Sequence, residues 1–336
     1  MSLILAFESS CDDTSVAILN SEYEVLVNLI SSQPQHLDFG GVLPELASRL
    51  HMKNIMHLCK LALRKANVGL GEIDAIAVSI NPGLIGSLIV GLAFAKSLAW
   101  SLQKPLITVN HLLSHIFANY IEYPELKPPF LALVVSGGHT ELVHFITDTE
   151  FEVLGKTLDD AAGETFDKAA KLMGLGFPGG PVIDRLAQGG DPNFVMLPNP
   201  LAQKDNFNFS YSGLKTAIRT YIQSKDDDFL KKHQHDIAAS IQRAIVEPLI
   251  SKSIRKARSL GVSQILIAGG VAANSALRQG LSTRAAKQGI MVFYPSLSLC
   301  MDNAAMVAAA AIPKFKAGIF APLSVNANSI KGTRLL

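Results

Sequence analysis

The sequence predicts an α/β protein built from two similar halves. Strand-like apolar runs alternate with helical patterns along the chain, which is typical of this class. LILAFESSCDDTSVAIL near the N-terminus and FLALVVSGGHTELVHFI near the middle both read as strand, polar turn, strand. The 336 residues, 49% of them hydrophobic, are enough for two cores. We therefore expect two domains, each beginning with a hairpin.

Each predicted element rests on a periodicity of two or of about 3.6 residues. The strand-like runs are Leu3–Phe7, Ser15–Leu19, Ala75–Ile80, Phe130–Val135, Leu142–Ile146, Ile265–Ala268 and Met291–Tyr294. The helical patterns are Pro44–Ala66, Gly86–Ser101, His111–Ile121, Ala161–Leu172, His235–Leu260 and Ala273–Gly289.

Composition narrows the setting. The three cysteines are odd in number and form no CxxC pair, so neither a disulfide framework nor a thiolate zinc site is indicated. The uncharged run Ala75–Ala95 contains Asn81, Pro82, Gly83 and Gly86, which argue against a membrane helix and for strand, loop and helix. The N-terminal residues lack the pattern of a secretory signal or a transit peptide. A cytoplasmic protein without a membrane segment is expected.

The net charge is only +2, but the basic residues are unevenly spread. They concentrate in KSIRKAR at Lys252–Arg258 and then at Arg278, Arg284 and Lys287. On sequence alone, a solvated helix face ranks above a phosphate-binding patch.

Three glycine turns in the second half favour nucleotide binding. The first turn, Ser136–Gly138, follows a strand. In the second, Gly179 and Gly180 precede a proline suited to the first turn of a helix, with Asp184 one turn further on. In the third, a strand runs through Gly269 and Gly270 into a helix near Asn274. Bare backbone amides at such turns bind anions. Neither a Walker A nor a Rossmann fingerprint is present. Three turns together make a nucleotide cleft a better interpretation than three ordinary turns.

Two histidines, His111 and His115, stand four residues apart in a helical pattern, so both rings can face one point. Such a pair alone is more often part of a core than a metal site. Asp302, after a strand and loop and before an Ala-rich run, offers a third ligand. Two imidazoles and a carboxylate leave open positions on Fe(II) or Zn(II), as catalytic metals require.

Nine strings in order cover nearly the whole chain: ESSCDDTS, GGVLPELASR, NHLLSH, VVSGGHTEL, DDAAGETFDKAAKLMGL, FPGGP, FSYSGLKTA, AGGVAAN and MDNAAM. Together they resemble the bacterial tRNA adenosine threonylcarbamoyltransferase family. The resemblance implies a duplicated actin-like fold, shared with sugar kinases and heat-shock ATPases, with two lobes around a nucleotide cleft. The expected N-terminal lobe is residues 1–125, with a C-terminal helix at about 303–336 packing back on it. The expected C-terminal lobe is residues 126–302.

The resemblance also implies the reaction: transfer of a threonylcarbamoyl group from threonylcarbamoyl-AMP to N6 of adenosine 37 in tRNAs reading ANN codons, with release of AMP. It implies that His111, His115 and Asp302 bind one divalent metal, with Fe(II) expected ahead of Zn(II). It places the adenylate contacts at Val134, Val135, Ser136, Gly137, Gly138, Asp167, Gly180, Asp184 and Asn274. Besides tRNA, the implied partners are an inactive paralogue that pairs through the N-terminal lobe, for which the helix Pro44–Ala66 offers a surface, and a small ATPase.

Some positions depart from the family pattern. Leu113 stands where a glutamate is usual, Asp13 replaces another glutamate, and the C-terminal segment NANSIKGTRLL is unlike the usual ending. With tRNA as the implied substrate, its expected contacts are the basic residues at 252–258, Arg284 and Lys287, together with Lys331 and Arg334.

Three other functions compete. An HxxxH metallopeptidase, an old label for the family, would need the glutamate of HExxH, where this chain has Leu112. A sugar or acetate kinase on the same fold would explain a cleft but not the histidine pair. A non-catalytic scaffold resembling the inactive paralogue would be expected to lose the metal ligands.

Overall fold

The computed structural model describes residues 1–39, 41–199, 201 and 206–329. The chain divides into two compact units. The first contains Met1–Leu126 together with the described residues from Leu297 onward, and the second is Lys127–Ser296. Asp302 therefore belongs to the same unit as His111 and His115.

The first unit contains a five-stranded mixed sheet in the order β3-β2-β1-β4-β5. Strand β1 pairs antiparallel with β2 and parallel with β4; β2 and β3 are antiparallel, and β4 and β5 are parallel. The strands are β1 Leu3–Glu8, β2 Asp13–Asn20, β3 Val25–Ser32, β4 Ala75–Asn81 and β5 Leu106–Asn110.

The second unit repeats this arrangement in a sheet of order β10-β9-β6-β7-β8. Here β6 is the central strand, antiparallel to β7 and parallel to β9, while β7–β8 is antiparallel and β9–β10 parallel. The strands are β6 Phe130–Val135, β7 Thr140–Phe145, β8 Phe151–Lys156, β9 Gln264–Ala268 and β10 Met291–Phe293. The predicted α/β class and the hairpin that opens each half are confirmed.

Helices account for most of the remaining described residues. They are α1 Pro44–Ala66, α2 Ile85–Leu102, α3 His111–Glu122, α4 Ala162–Leu172, α5 Gly179–Leu186, α6 Ser212–Gln223, α7 Asp227–Lys232, α8 Gln234–Leu260, α9 Ser275–Ala286, α10 Leu297–Cys300 and α11 Ala304–Lys316. The predicted limits of α1 coincide with the observed ones, because Pro44 suits a first turn and Asn67 adopts the left-handed conformation that ends a helix.

Helix α11 brings the C-terminal part of the chain into the core of the first unit. Every residue from Ala304 to Ile312 is buried, and its many alanines allow close packing. The helix ends at Lys316, where Gly318 with a φ of +69° follows and Ile319 N–H donates to the Lys314 carbonyl at 2.9 Å. Residues 317–329 are not helical, and residues 330–336 lie outside the described part.

Among the described residues, α2 is the one helix whose length and apolar character would suffice to cross a membrane. Its buried residues recur every three to four positions, from Ser87 to Ala99. At Gly86 an added Cβ would lie 3.1 Å from Ser48 Oγ, so α2 packs directly on α1. One face of α2 is therefore a packing face of the first unit, while Ile85, Ile89 and Trp100 remain exposed.

Candidate functional site

Helix α3 begins at His111 because Asn110, the last residue of β5, caps it. The Asn110 side-chain oxygen accepts the N–H groups of Leu112 at 2.9 Å and Leu113 at 3.1 Å. His111 therefore lies in the first turn, directly after the carboxyl end of a parallel strand, and His115 follows one turn later on the same face.

The three predicted metal ligands lie together. Asp302 Oδ1 is 3.1 Å from His115 Nε2 and 3.6 Å from His111 Nε2. The two imidazole rings are 4.8 Å apart and nearly perpendicular, at 81°. One ligand atom from each of the three residues lies within 4.8 Å of the others. His115 is buried and Asp302 is about one quarter exposed, so solvent reaches the group from the Asp302 side.

Three hydrogen bonds made by the two residues after Asp302 fix the backbone that carries it. The next residue, Asn303, caps α11 by accepting the Met306 N–H at 3.0 Å, and its amide donates to the Met301 carbonyl at 2.7 Å. The hydroxyl of Ser15 on β2 accepts the Ala304 N–H at 2.8 Å. The carboxylate is thus attached to a buried helix start, not to a free loop.

A second carboxylate, Glu8 at the end of β1, holds the opposite side of the His111 ring. Glu8 is fully buried; its Oε1 accepts the Ser10 N–H at 2.6 Å, and its Oε2 lies 3.1 Å from His111 Nδ1. The Ser10 hydroxyl is also 3.1 Å from this nitrogen. With Nδ1 engaged in this way, Nε2 is the nitrogen that points toward Asp302 and is available to a metal.

The electrostatics of this group favour a positive charge between the carboxylates and the imidazoles. Burial by itself lowers the pKa of His111, but the carboxylates of Glu8 and Asp302 outweigh burial and raise the pKa to about 9. Burial likewise raises the pKa of Asp302, and the two histidines outweigh it and hold the pKa well below its usual range. Two carboxylates beside two imidazoles fit a divalent cation, since the donor set is one that Zn(II) and Fe(II) use in catalytic centres.

In the second unit, the β6–β7 turn has the open backbone that an anion site needs. Ser136 N–H donates to the His139 carbonyl at 2.8 Å, and the Ser136 hydroxyl accepts the His139 N–H at 3.2 Å. A Cβ added to Gly137 or Gly138 would meet no atom within 4 Å. Val134 and Val135 are fully buried in the sheet, so they support the turn and present no exposed surface of their own.

Asp167 on α4 caps the start of α5. Its Oδ1 accepts the Gly179 N–H at 2.7 Å, and burial raises the pKa of this carboxyl despite hydrogen bonds from Gly179 and Gly180. A Cβ at Gly179 would lie 2.7 Å from the Asp167 Cα, so this contact between the two helices requires glycine. Gly163 at the start of α4 has a similar restriction, because a Cβ there would lie 2.5 Å from the Ser136 carbonyl oxygen.

Asp184 and Asn274 meet at the start of α9. Asp184 Oδ1 accepts the Ser275 hydroxyl at 2.7 Å, and Oδ2 accepts the Ser275 N–H at 3.1 Å. Asn274 is buried; its side-chain oxygen accepts the Leu277 N–H at 2.9 Å and its amide donates to Gln242 at 2.9 Å. The turn after β6 and the starts of α4, α5 and α9 are thus connected, and the predicted adenylate residues of the second unit lie on this connected set.

One expectation about the basic residues is wrong. Lys252 on α8 is buried. Its amine donates to the Asn208 carbonyl and lies 5.3 Å from the centre of the Phe209 ring. It does not belong to a solvated basic face, because its amine contacts Asn208 and Phe209 inside the second unit. Arg278 is also engaged, donating to the Pro295 carbonyl at 2.8 Å. Lys331 and Arg334 lie outside the described residues.

The departures from the family pattern have different surroundings. Leu113 is buried in α3, where an apolar side chain suits its environment. Asp13 begins β2, and burial raises its pKa to about 6 although a hydrogen bond with Ser32 opposes the shift.

Sequence reasoning missed several residues of these groups. Glu8 and Ser10 lie within the quoted string ESSCDDTS but were given no role. A charged residue ending the apolar strand LILAFE is the signal that could have identified Glu8. Ser275, Gln242 and Gly163 act through tertiary contacts that no local pattern encodes.

Comparison with known proteins identifies the family. A family model described as "TsaD: tRNA N6-adenosine threonylcarbamoyltransferase" matches residues 24–309. A protein of that name from Thermosipho africanus is 52% identical over 318 residues, covering 94% of this chain and 96% of the relative. The one from Thermotoga neapolitana is 48% identical, covering 97% and 98%.

Solved structures support the fold. Full-length HypF has a TM-score of 0.64 and 14% identity, and the match covers 95% of this chain and 47% of HypF. Component A of the Acidaminococcus fermentans (R)-2-hydroxyglutaryl-CoA dehydratase has a TM-score of 0.55 and 14% identity, and the match covers 94% of this chain and 99% of component A. These likenesses and the two sheets of equal order establish a duplicated actin-like ATPase fold. With the family model matching most of its length, this chain belongs to the tRNA N6-adenosine threonylcarbamoyltransferase family.

Proposed function

We propose that this protein transfers the threonylcarbamoyl group of threonylcarbamoyl-AMP to N6 of adenosine 37 in tRNAs that read ANN codons, and that it does so with a metal bound by His111, His115 and Asp302. The observation that carries the proposal is the convergence of these three side chains within 4.8 Å in a chain of this family. The peptidase alternative lacks support, because the buried Leu112 occupies the position of the HExxH base.

The metal is Fe(II) ahead of Zn(II), since two histidines and one carboxylate with open positions are the ligand set of non-haem iron centres. When bound, it supplies a Lewis acid that polarises a phosphoryl or carbonyl oxygen. Glu8 acts as a positioning residue, because its contact with Nδ1 sets which nitrogen of His111 faces the metal.

The second unit binds the adenylate. The open backbone of the turn at Gly137 and Gly138 is suited to the phosphate, and Ser136 fixes that turn through its two hydrogen bonds with His139. Asp167 and Asp184 accept hydrogen bonds from the starts of α5 and α9, respectively. Their remaining lone pairs can accept hydrogen bonds from ribose hydroxyls. Gly180 donates its backbone N–H to Asp167 and so helps to orient that carboxylate, and Asn274 fixes the first turn of α9. Fixing the adenylate in this way orients the acyl group for attack by the N6 amine, with AMP as the leaving group.

The expected protein partners are an inactive paralogue and a small ATPase, in the cytoplasm. The paralogue fits the face formed by α1 and α2. Met52 and Met56 on α1 and Ile85 and Ile89 on α2 are all exposed there, each by about half. Exposed apolar side chains on two adjacent helices are typical of a protein–protein interface.

The test is mass spectrometry of nucleosides from unmodified ANN-reading tRNA incubated with this protein, the adenylate and the two helper proteins. Threonylcarbamoyl-adenosine should form with the wild-type protein and not with His111→Ala. Lys232→Ala, which changes an exposed residue of α7, serves as the control. Absence of the modified nucleoside with every component present would refute the proposal, and phosphorylation of a small molecule would favour the kinase alternative.

A further inference from the structure

The second unit contains a basic groove that is separate from the adenylate-binding turns. It lies between the C-terminal half of α8 and the end of α9 and has a volume of about 620 Å³. Its polar lining residues include Ser251, Arg255, Arg258, Ser259, Arg284 and Lys287. No carboxylate is among the lining residues, so four cationic side chains surround one open concavity.

The cations are held by different means. Arg255 lies 5.1 Å from the centre of the Phe207 ring and donates to the Asn206 carbonyl at 3.3 Å, which orients its guanidinium. Arg284 forms two hydrogen bonds with Glu247, of 2.7 and 2.8 Å. Arg258 and Lys287 are exposed and form no ion pair with any residue that the structure describes. Their charges are therefore available to a ligand.

The chemistry of the groove favours a polyanion over a small organic ligand. Its walls are charged and its form is open, whereas small-molecule sites are enclosed and mostly apolar. Both helices present their carboxyl ends here, so the backbone offers no helix N–H groups to an anion, and side chains must supply the contacts. Long cationic side chains around an open groove suit a phosphodiester backbone.

We propose that this groove binds the phosphodiester backbone of the tRNA substrate, away from the nucleotide that is modified. Helix α9 connects the two places: Asn274 and Ser275 lie at its start, and Lys287 follows its last residue. Its 12 residues span about 18 Å at a rise of about 1.5 Å per residue. The inference rests on the proposed function for the identity of the polyanion.

A groove at this distance contributes binding that is equal in the ground state and the transition state. Removing it should raise KM for tRNA and leave kcat unchanged at saturating tRNA. A substitution at Glu247 should have the opposite effect on tRNA affinity. Glu247→Gln removes the ion pair with Arg284, which is then available to a phosphate, so tRNA should bind more tightly.

The experiment is filter binding of unmodified ANN-reading tRNA over a salt series. In Arg258→Glu/Lys287→Glu, affinity should fall on the order of tenfold or more and the log–log salt slope should lose about 0.7–0.9 for each phosphate contact removed. The matched control is Lys231→Glu/Lys232→Glu, which makes the same charge change at exposed positions of α7 and should bind normally. Circular dichroism and melting curves confirm that each variant is folded.

Wild-type affinity and slope in the folded Arg258→Glu/Lys287→Glu variant, or weaker binding in Glu247→Gln, would overturn the inference. The first result would mean that the cations only balance the carboxyl ends of α8 and α9. Failure of the proposed function looks different, because wild-type protein would then form no modified nucleoside whether or not tRNA binding depends on the groove.

Discussion

Glu8 Oε2 lies 3.1 Å from His111 Nδ1, so a fully buried carboxylate from β1 holds the first turn of α3 by its histidine. The same carboxylate accepts the Ser10 N–H at 2.6 Å. In metal centres, a partner of this kind fixes the orientation of the imidazole ring and raises the basicity of the ligating nitrogen.

Glu8→Ala should therefore weaken metal affinity by ~10–100-fold, the usual effect of removing such a partner. Glu8→Gln should fall between this variant and the wild type, because its side-chain carbonyl can still accept the Nδ1 proton but carries no charge. Affinity is measured by competition with a chelator. Asp74→Ala is the matched control, since Asp74 binds the Leu3 N–H at the other end of β1. Equal affinity in Glu8→Ala and wild type would contradict the prediction.

The metal ligands should be individually necessary. His111→Ala, His115→Ala and Asp302→Ala should each lower metal affinity at least as much as the loss of an outer partner, ~10–100-fold, and the double histidine variant should bind none. Elemental analysis of protein purified without oxygen gives both the stoichiometry, expected at about one, and the identity of the metal. Full occupancy in the double variant would rule out this centre.

Gly137→Val should abolish adenylate binding while leaving the fold intact. A side chain there meets no protein atom within 4 Å, so any loss reflects the space and the amides that a ligand would use. Calorimetry with AMP or ATP measures the effect. Gly71→Val, at an equally open glycine of the first unit, is the control and should not change the affinity. The prediction fails if Gly137→Val binds the nucleotide as the wild type does.

Lys252 should make stability depend on pH. Burial lowers its pKa from 10.5 to about 8. Between these values the unfolded chain keeps a proton that the folded chain has lost, so the free energy of unfolding should rise with pH, by at most about 1.4 kcal/mol per pH unit. Below pH 8 both states are charged and the effect is absent.

Urea unfolding at pH 7.5 and pH 9.5 tests this expectation by comparing wild type with Lys252→Met. The difference in unfolding free energy between the two proteins should shift in favour of the wild type at the higher pH. An unchanged difference would show that the hydrogen bond to Asn208 keeps the lysine charged in the folded state.

Local patterns predicted the elements whose periodicity is strong. The predicted limits of α1 were correct because a proline marks its start. Those of β6 were correct because an uninterrupted apolar run ends at a glycine-rich turn. Strand β3 was missed: it is half exposed, contains Val25 and Ile30 on the solvent side and pairs with β2 through a register shift.

Functional residues likewise differ in whether a local pattern or only the tertiary structure reveals them. His111 and His115 could be paired from spacing alone, since four residues on a helix bring two side chains to one face. Lys252 and Arg258 occupy one basic run, yet one is buried and the other exposed, and only the packing of α8 distinguishes them. The helix-capping contacts of Asp167 and Asp184 likewise depend on segments far away in sequence.

The position of α11 in the core of the first unit has a consequence for synthesis on the ribosome. His115 and Asp302 are separated by 187 residues (302 − 115), and Asp302 is held by a helix made near the end of translation. At a rate of ~5–20 residues per second, roughly 10–40 s pass between the synthesis of these two residues. During that interval the first sheet has its α11 surface uncovered, and a ribosome that stops early releases a chain without Asp302, the third of the proposed metal ligands.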